Sequence, residues 1–181
     1  MLTQNCRIMQ NRFLFSILLF MAMIGLSSCY TSYYYVVRHA EKASTPADNP
    51  PLTAAGQQRA IALCDSLRNK NVKRIFVSQY LRTQQTAQPS ASLLQVTPTQ
   101  YNASQPVDSL AKKLKGIGGQ NVLVVGHSNT VPQLILKLTG VNIGQIPDND
   151  FDNFYVIKRV KNSSGDTFTL FRTDTYGAPS P

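Results

Sequence analysis

Three short runs of β-branched and aromatic residues, at 33–38 (YYYVVR), 74–78 (RIFVS) and 121–126 (NVLVVG), are separated by stretches long enough to hold helices. Runs that are apolar without alternation suit strands buried on both faces, as in a parallel sheet covered by helices on either side. Parallel neighbours also need crossovers of a dozen residues or more, and the intervals here supply them. The pattern predicts an α/β fold, a three-layer α/β/α sandwich around a mainly parallel central sheet.

The remaining elements follow from local chemistry. Pro46, Pro50 and Pro51 force a loop over 43–52, and Thr53 is a good N-cap for a helix through about residue 69. A helix from Leu81 is expected to break near Pro89. Further helices are expected at 107–115 and 130–138, with Pro132 tolerated in the first turn. Two closing strands, near 153–160 and 167–173, flank the turn residues Asn162-Ser163-Ser164-Gly165.

The chain has 181 residues, 43% of them hydrophobic and 15% charged, which suits one ordinary domain and excludes a disordered chain. With three cysteines, no CxxC and two histidines, neither a disulfide framework nor a histidine-rich metal site is available, and no metal or cofactor is expected. The first 28 residues are an address. Arg7 and Arg12 precede an apolar run at 13–26, too short to span a bilayer comfortably, which suits the h-region of a secretory signal starting at Met1 or Met9. Leu26-Ser27-Ser28-Cys29 resembles a bacterial lipobox, whose cysteine is acylated and becomes the new N-terminus. The expected organisation is a signal at 1–28, a lipidated N-terminus and linker at 29–32, a domain at 33–176 and a flexible tail at 177–181. The expected location is the bacterial cell envelope, periplasmic or outer-membrane, with membrane attachment through Cys29. Without the leader, 16 Lys and Arg face 9 Asp and Glu, a net +7. That balance favours anionic partners. The lysines are dispersed, and Lys112, Lys113 and Lys115 look like a solvated helix face, so no nucleic-acid partner is expected.

The chemistry gathers at strand ends. Arg38-His39 ends the first run, Ser78 ends the second with Arg82 one helical turn beyond, and Gly126-His127-Ser128 ends the third. Open α/β sheets bind ligands outside the carboxyl ends of their strands, so both histidines and two arginines are expected to converge on one edge. Cys64 is expected to be a small buried hydrophobe. The acids of Asp148-Asn149-Asp150-Phe151-Asp152 have calcium-loop spacing. The loop lacks glycine at its sixth position (Asn153) and glutamate at its twelfth (Arg159), so it reads as an acidic, solvated approach to a strand.

Four blocks carry a family resemblance. Arg38-His39-Ala40-Glu41-Lys42 resembles the RHG-type signature of the histidine phosphatase (phosphoglycerate mutase-like) superfamily. Residues 51–60 (PLTAAGQQRA) look like its PLTxxGxxQA helix start, 78–87 (SQYLRTQQTA) like its SxxxRTxQTA block, and Gly126-His127-Ser128-Asn129-Thr130 like its second-histidine motif. The resemblance implies a phosphoglycerate mutase-like fold, with His39 as nucleophile and Arg38, His39, Arg82 and His127 as the phosphate pocket. It implies cofactor-independent hydrolysis of phosphomonoesters or phosphohistidine through a covalent phosphohistidine, on a phosphorylated small molecule or phosphoprotein. A neutral imidazole can attack phosphorus in line, and arginine forks match the transferring group's oxygens.

Three departures qualify the pattern. Ala40 replaces glycine, and Tyr80 stands where proline is frequent. No glutamate lies between Arg82 and His127, where many members keep their proton donor. Asp108, the only carboxylate in that interval, and Glu41, two residues after His39, are the rival candidate acids. Asn129 stands where the acid-phosphatase branch has aspartate, which disfavours that branch. A membrane-tethered lipoprotein that binds phosphate ligands without turnover is the alternative reading, and a mutase is a remoter one.

Overall fold

The structure is a computed structural model that describes residues 29–180; the expected signal at 1–28 lies outside the described residues. Six strands form one sheet: β1 (Tyr30–Arg38), β2 (Val72–Ser78), β3 (Thr99–Tyr101), β4 (Asn121–Gly126), β5 (Asn153–Asn162) and β6 (Gly165–Thr175). The order is β3-β2-β4-β1-β5-β6. The first four strands run parallel, while β5 and β6 are antiparallel. Four helices are described: α1 (Ala54–Leu67), α2 (Leu81–Leu94), α3 (Val107–Lys115) and α4 (Thr130–Thr139). Among the described residues no helix is long and apolar enough to cross a membrane.

The two faces of the sheet are packed by different helices, because successive side chains of a strand point to opposite sides. Tyr34 and Val36 of β1 face α3 and α4 through Leu110, Leu114, Val131 and Ile135. Tyr35 and Val37 face α1 and α2 through Leu63, Leu67, Ala87 and Ala91. This is the expected three-layer sandwich.

Local differences have local causes. Helix α2 runs through Pro89 without the expected break; the buried Thr86, Ala87, Ser90 and Ala91 around it hold the turn against the sheet. Strand β3 was not legible in advance, since TQY has no alternating pattern and pairs with only three residues of β2. The segment expected as a tail is engaged. The carbonyls of Tyr176 and Ala178 accept from Arg59, and the Ser180 hydroxyl accepts from the Phe151 and Asp152 amides. Arg159, at the position where a calcium loop would need glutamate, is buried instead. It pairs with Asp166 and donates to the carbonyls of Lys115 and Ile117, which serves the orphan acceptors at the end of α3.

Candidate functional site

Strands β1 and β4 are neighbours in parallel register, with Arg38 beside Gly126, so His39 and His127 leave the sheet side by side. The His39 amide continues the ladder to the Gly126 carbonyl at 2.9 Å, and the two imidazoles stand 5.3 Å apart between centroids. Glycine at 126 is a packing requirement. A Cβ there would meet Thr130 Oγ1 at 2.9 Å and the Val131 side chain at 3.0 Å. Thr130 Oγ1 in turn accepts from the His127 amide, which fixes the start of α4 beneath the second histidine.

The loop after His39 is held from two sides. The Ala40 amide donates to Thr86 Oγ1, and the Leu52 amide to Gln85 Oε1, both from α2. From α1, the Thr53 amide donates to the Glu41 carbonyl, while Thr53 Oγ1 caps Gly56. Gly56 lies so close that a Cβ would fall 2.2 Å from the Glu41 carbonyl oxygen. Thus the small residues of the helix-start block position the loop, not the ligand.

His39 Nδ1 lies 2.8 Å from the Ala40 carbonyl. A carbonyl can only accept, so Nδ1 carries the proton and Nε2 keeps its lone pair. Burial pushes the His39 imidazole down to about 3, aided by the nearby His127 and the two arginines against the Ala40 hydrogen bond. Burial likewise lowers His127 to about 4, with Arg82 and Arg38 adding to the effect. Both rings are therefore neutral at pH 7. His127 Nε2 meets Ser78 Oγ at 2.9 Å, and Ser78 Oγ meets Thr83 Oγ1 at 2.9 Å. The end of β2 and the first turn of α2 thereby orient the second histidine.

The two guanidiniums are packed against aromatic faces. Arg38 lies 4.3 Å from the Phe151 ring centre, and Arg82 4.3 Å from that of Tyr80. Tyr80 also meets His127 edge-on at 5.4 Å. Arg38 donates to the Pro147 and Asp150 carbonyls at 2.5 and 3.0 Å, tying β1 to the segment before β5. The Nε of Arg38 and that of Arg82 are buried with no protein partner. Buried guanidinium donors without acceptors are costly unless an anion supplies them. Desolvation lowers both guanidinium pKa values, for the same reason.

Arg38, His39, Arg82 and His127 line one cavity of about 390 Å³, together with Lys42, Tyr80, Ser128, Asn129 and Asp148. A second cavity of about 390 Å³ adjoins it through Ser128, Asn129 and Asp148, and extends to Gln145 and Ile146. All four residues expected to form the phosphate pocket are thus brought together. Neither candidate acid joins them. Glu41 is held by the Arg59 guanidinium through contacts of 2.7 to 3.0 Å. Asp108 is exposed at the start of α3 and paired with Lys137, which lowers its carboxyl pKa.

The carboxylate on the cavity wall is Asp148, 3.8 Å from Arg38 Nη2 and fully exposed. Its segment is more than a solvated approach to a strand: it brings Asp148 and Phe151 over the site. Among the described residues no group of three or more His, Cys, Asp or Glu could hold a metal ion. Cys29 is exposed and Cys64 is buried as expected.

Comparison with known proteins agrees with this geometry. Residues 34–104 match the histidine phosphatase superfamily (branch 1). A 55-residue stretch is 49% identical to the PE-PGRS family protein PE_PGRS11 of Mycobacterium tuberculosis (strain ATCC 25618 / H37Rv); it covers 30% of this chain and spans only 9% of that protein. A solved SixA from Nakamurella multipartitia superposes with TM-score 0.65 at 21% identity, covering 82% of this chain and 98% of that one. A protein histidine phosphatase SixA complexed with tungstate gives 0.64 at 21%, covering 79% and 96%. At such identities the structural likeness speaks for the fold, phosphoglycerate mutase-like in architecture.

Proposed function

We propose that this chain, a member of the histidine phosphatase superfamily, hydrolyses phosphate from monoesters or from phosphohistidine through a covalent phosphohistidine on His39. The observation that carries the reading is the pairing of a lone-pair Nε2 on His39 with two buried arginine Nε donors that lack acceptors. A phosphate dianion supplies those acceptors and leaves phosphorus in front of the imidazole.

In the first step Nε2 attacks phosphorus in line, the N–P bond forms, and the bond to the leaving oxygen or nitrogen breaks. Arg38 and Arg82 neutralise the equatorial oxygens, and His127, oriented through Ser78, donates a hydrogen bond to one of them. In the second step water attacks the phosphohistidine, phosphate leaves, and the Nε2 lone pair returns. We assign the leaving-group proton to Asp148, the carboxylate on the cavity wall, in place of Asp108 and Glu41. Asp148 is ion-paired only at 3.8 Å, whereas the other two are committed to Lys137 and Arg59.

Capture without turnover would not need an imidazole whose tautomer presents a lone pair to the ligand, and that alternative finds no support. The resemblance of the matched fold to protein histidine phosphatases favours a phosphorylated protein or small molecule as substrate. We also propose that Cys29, exposed immediately before β1, is acylated and tethers the domain to the cell envelope. Acid quench of the enzyme during turnover traps an acid-labile phosphoenzyme in the wild type and none in His39→Ala. Wild-type turnover in His39→Ala overturns the assignment.

A further inference from the structure

Charge is unevenly distributed along the strands. Where the parallel strands end, Glu41 and Asp48 follow β1, while Asp148, Asp150 and Asp152 precede β5. At the opposite edge, where β1 begins at Tyr30, the chain is basic. Lys161 stands opposite Tyr30 in the β1–β5 register. Lys113 and Lys115 lie in the last turn of α3, exposed, and the loop that follows brings Gly119 against the Tyr30 ring. Lys70 and Lys73 flank the start of β2, and the Lys70 carbonyl is bound by Asn121, whose side chain also accepts from the Tyr33 amide. Only two carboxylates among the described residues lie toward this edge. Asp65 is paired with Arg68, and Asp166, paired with Arg159, also faces Lys115 and Lys161, so two carboxylates stand against five lysines and two arginines and the edge stays basic.

We infer that this basic edge is a docking surface for an anionic lipid bilayer, on which the domain stands with its catalytic edge pointing away. The inference rests on the reading of Cys29 as the lipid anchor. Two features of the chain select a bilayer as the occupant. The N-terminus leaves the fold at the centre of the basic edge, at the exposed Cys29, and the sequence just before it is the apolar run at 13–26. A surface potential attracts each nearby Lys or Arg within a Debye length, so a tether and a basic face at one spot reinforce each other. The lysines that the sequence presents as an ordinary solvated helix face acquire a direction once α3 is seen to end beside Tyr30.

The test is a lysine footprint of the full protein on vesicles. The chain, isolated from membranes, is reconstituted on phosphatidylcholine vesicles with or without phosphatidylglycerol and treated with a membrane-impermeant acetylating reagent. On phosphatidylglycerol, Lys70, Lys73, Lys113, Lys115 and Lys161 should acetylate about tenfold more slowly than on phosphatidylcholine, while Lys42, at the catalytic cavity, is unchanged. Salt at about 0.5 M should abolish the difference. Each charge reversal, Lys113→Glu or Lys115→Glu, should weaken flotation with anionic vesicles about fivefold and leave phosphatase turnover intact.

Equal labelling on both lipids, or protection of Lys42 instead, overturns the inference. So does protection by soluble polyglutamate but not by vesicles, which would assign the face to an acidic protein. The mass of the N-terminal peptide reports separately on the anchor: if Cys29 carries no acyl chain, that reading fails, and the footprint still tests the basic face. Loss of phosphatase turnover in the wild type would touch neither result.

Discussion

The site is poised by the protonation of two side chains that share one burial environment. His39 and His127 titrate near 3 and 4 in the folded protein against about 6.5 in an unfolded chain. Both shifts are downward, so the unfolded state takes up protons first as pH falls. The stability owed to keeping the rings neutral is whole above pH 6.5 and is lost as pH falls toward 4 and 3. Because the described residues contain only these two histidines, their ring resonances in an NMR titration are separable with one variant. We expect neither ring to titrate above pH 5; midpoints near 6.5 would contradict the desolvated site. Asp148 belongs to the same scale. If it delivers the leaving-group proton, Asp148→Asn slows alkyl phosphates by about 10²–10⁴-fold and p-nitrophenyl phosphate far less, since a phenolate needs little protonation. Equal slowing of both substrates would place Asp148 in binding rather than in proton transfer.

Elements meet around the site at close quarters, as α1 does against the loop after His39. Gly56→Ala puts a Cβ where only 2.2 Å separates it from the Glu41 carbonyl, and the opposing atom is backbone, not a pliable side chain. We expect a loss of about 1–3 kcal/mol, seen as a fall in Tm of several degrees, with reduced turnover because the loop carrying Ala40 moves. An unchanged Tm would show that α1 can slide outward. Much of this scale was legible in the sequence. Strands β1, β2 and β4 announce themselves by uninterrupted β-branched runs, and their polar terminal residues mark the catalytic edge. Asp148 and Phe151 were not legible, because their approach depends on Arg38 reaching the carbonyls of Pro147 and Asp150, more than a hundred residues away. The partner of Glu41 was half legible: Lys42 and Arg59 are the two cations that could fix its loop, and the fold gives the carboxylate to Arg59. Helix α2 persisting through Pro89 reflects tertiary packing, which local rules do not contain.

For the molecule as a whole, the catalytic edge and the N-terminus occupy opposite ends of a single central strand. Cys29→Ser removes the proposed acylation site, so the variant should shift from the membrane to the soluble or unprocessed fraction while its phosphatase turnover per folded molecule stays close to wild type. Retention of the variant in washed membranes would show that something other than Cys29 holds it. The orientation of β1 also acts as a ruler. From Tyr30 to Arg38 the strand takes eight steps, or about 27 Å at the usual rise, whereas a headgroup layer is only about 5–8 Å deep. With the proposed anchor at Cys29 and the basic edge on the bilayer, His39 would stand well above the phosphates of the lipids beneath it. Height would then work as a substrate filter. It would spare the phospholipids of the protein's own leaflet and reserve the imidazole for phosphoryl groups carried on freely diffusing molecules or on tall neighbouring proteins.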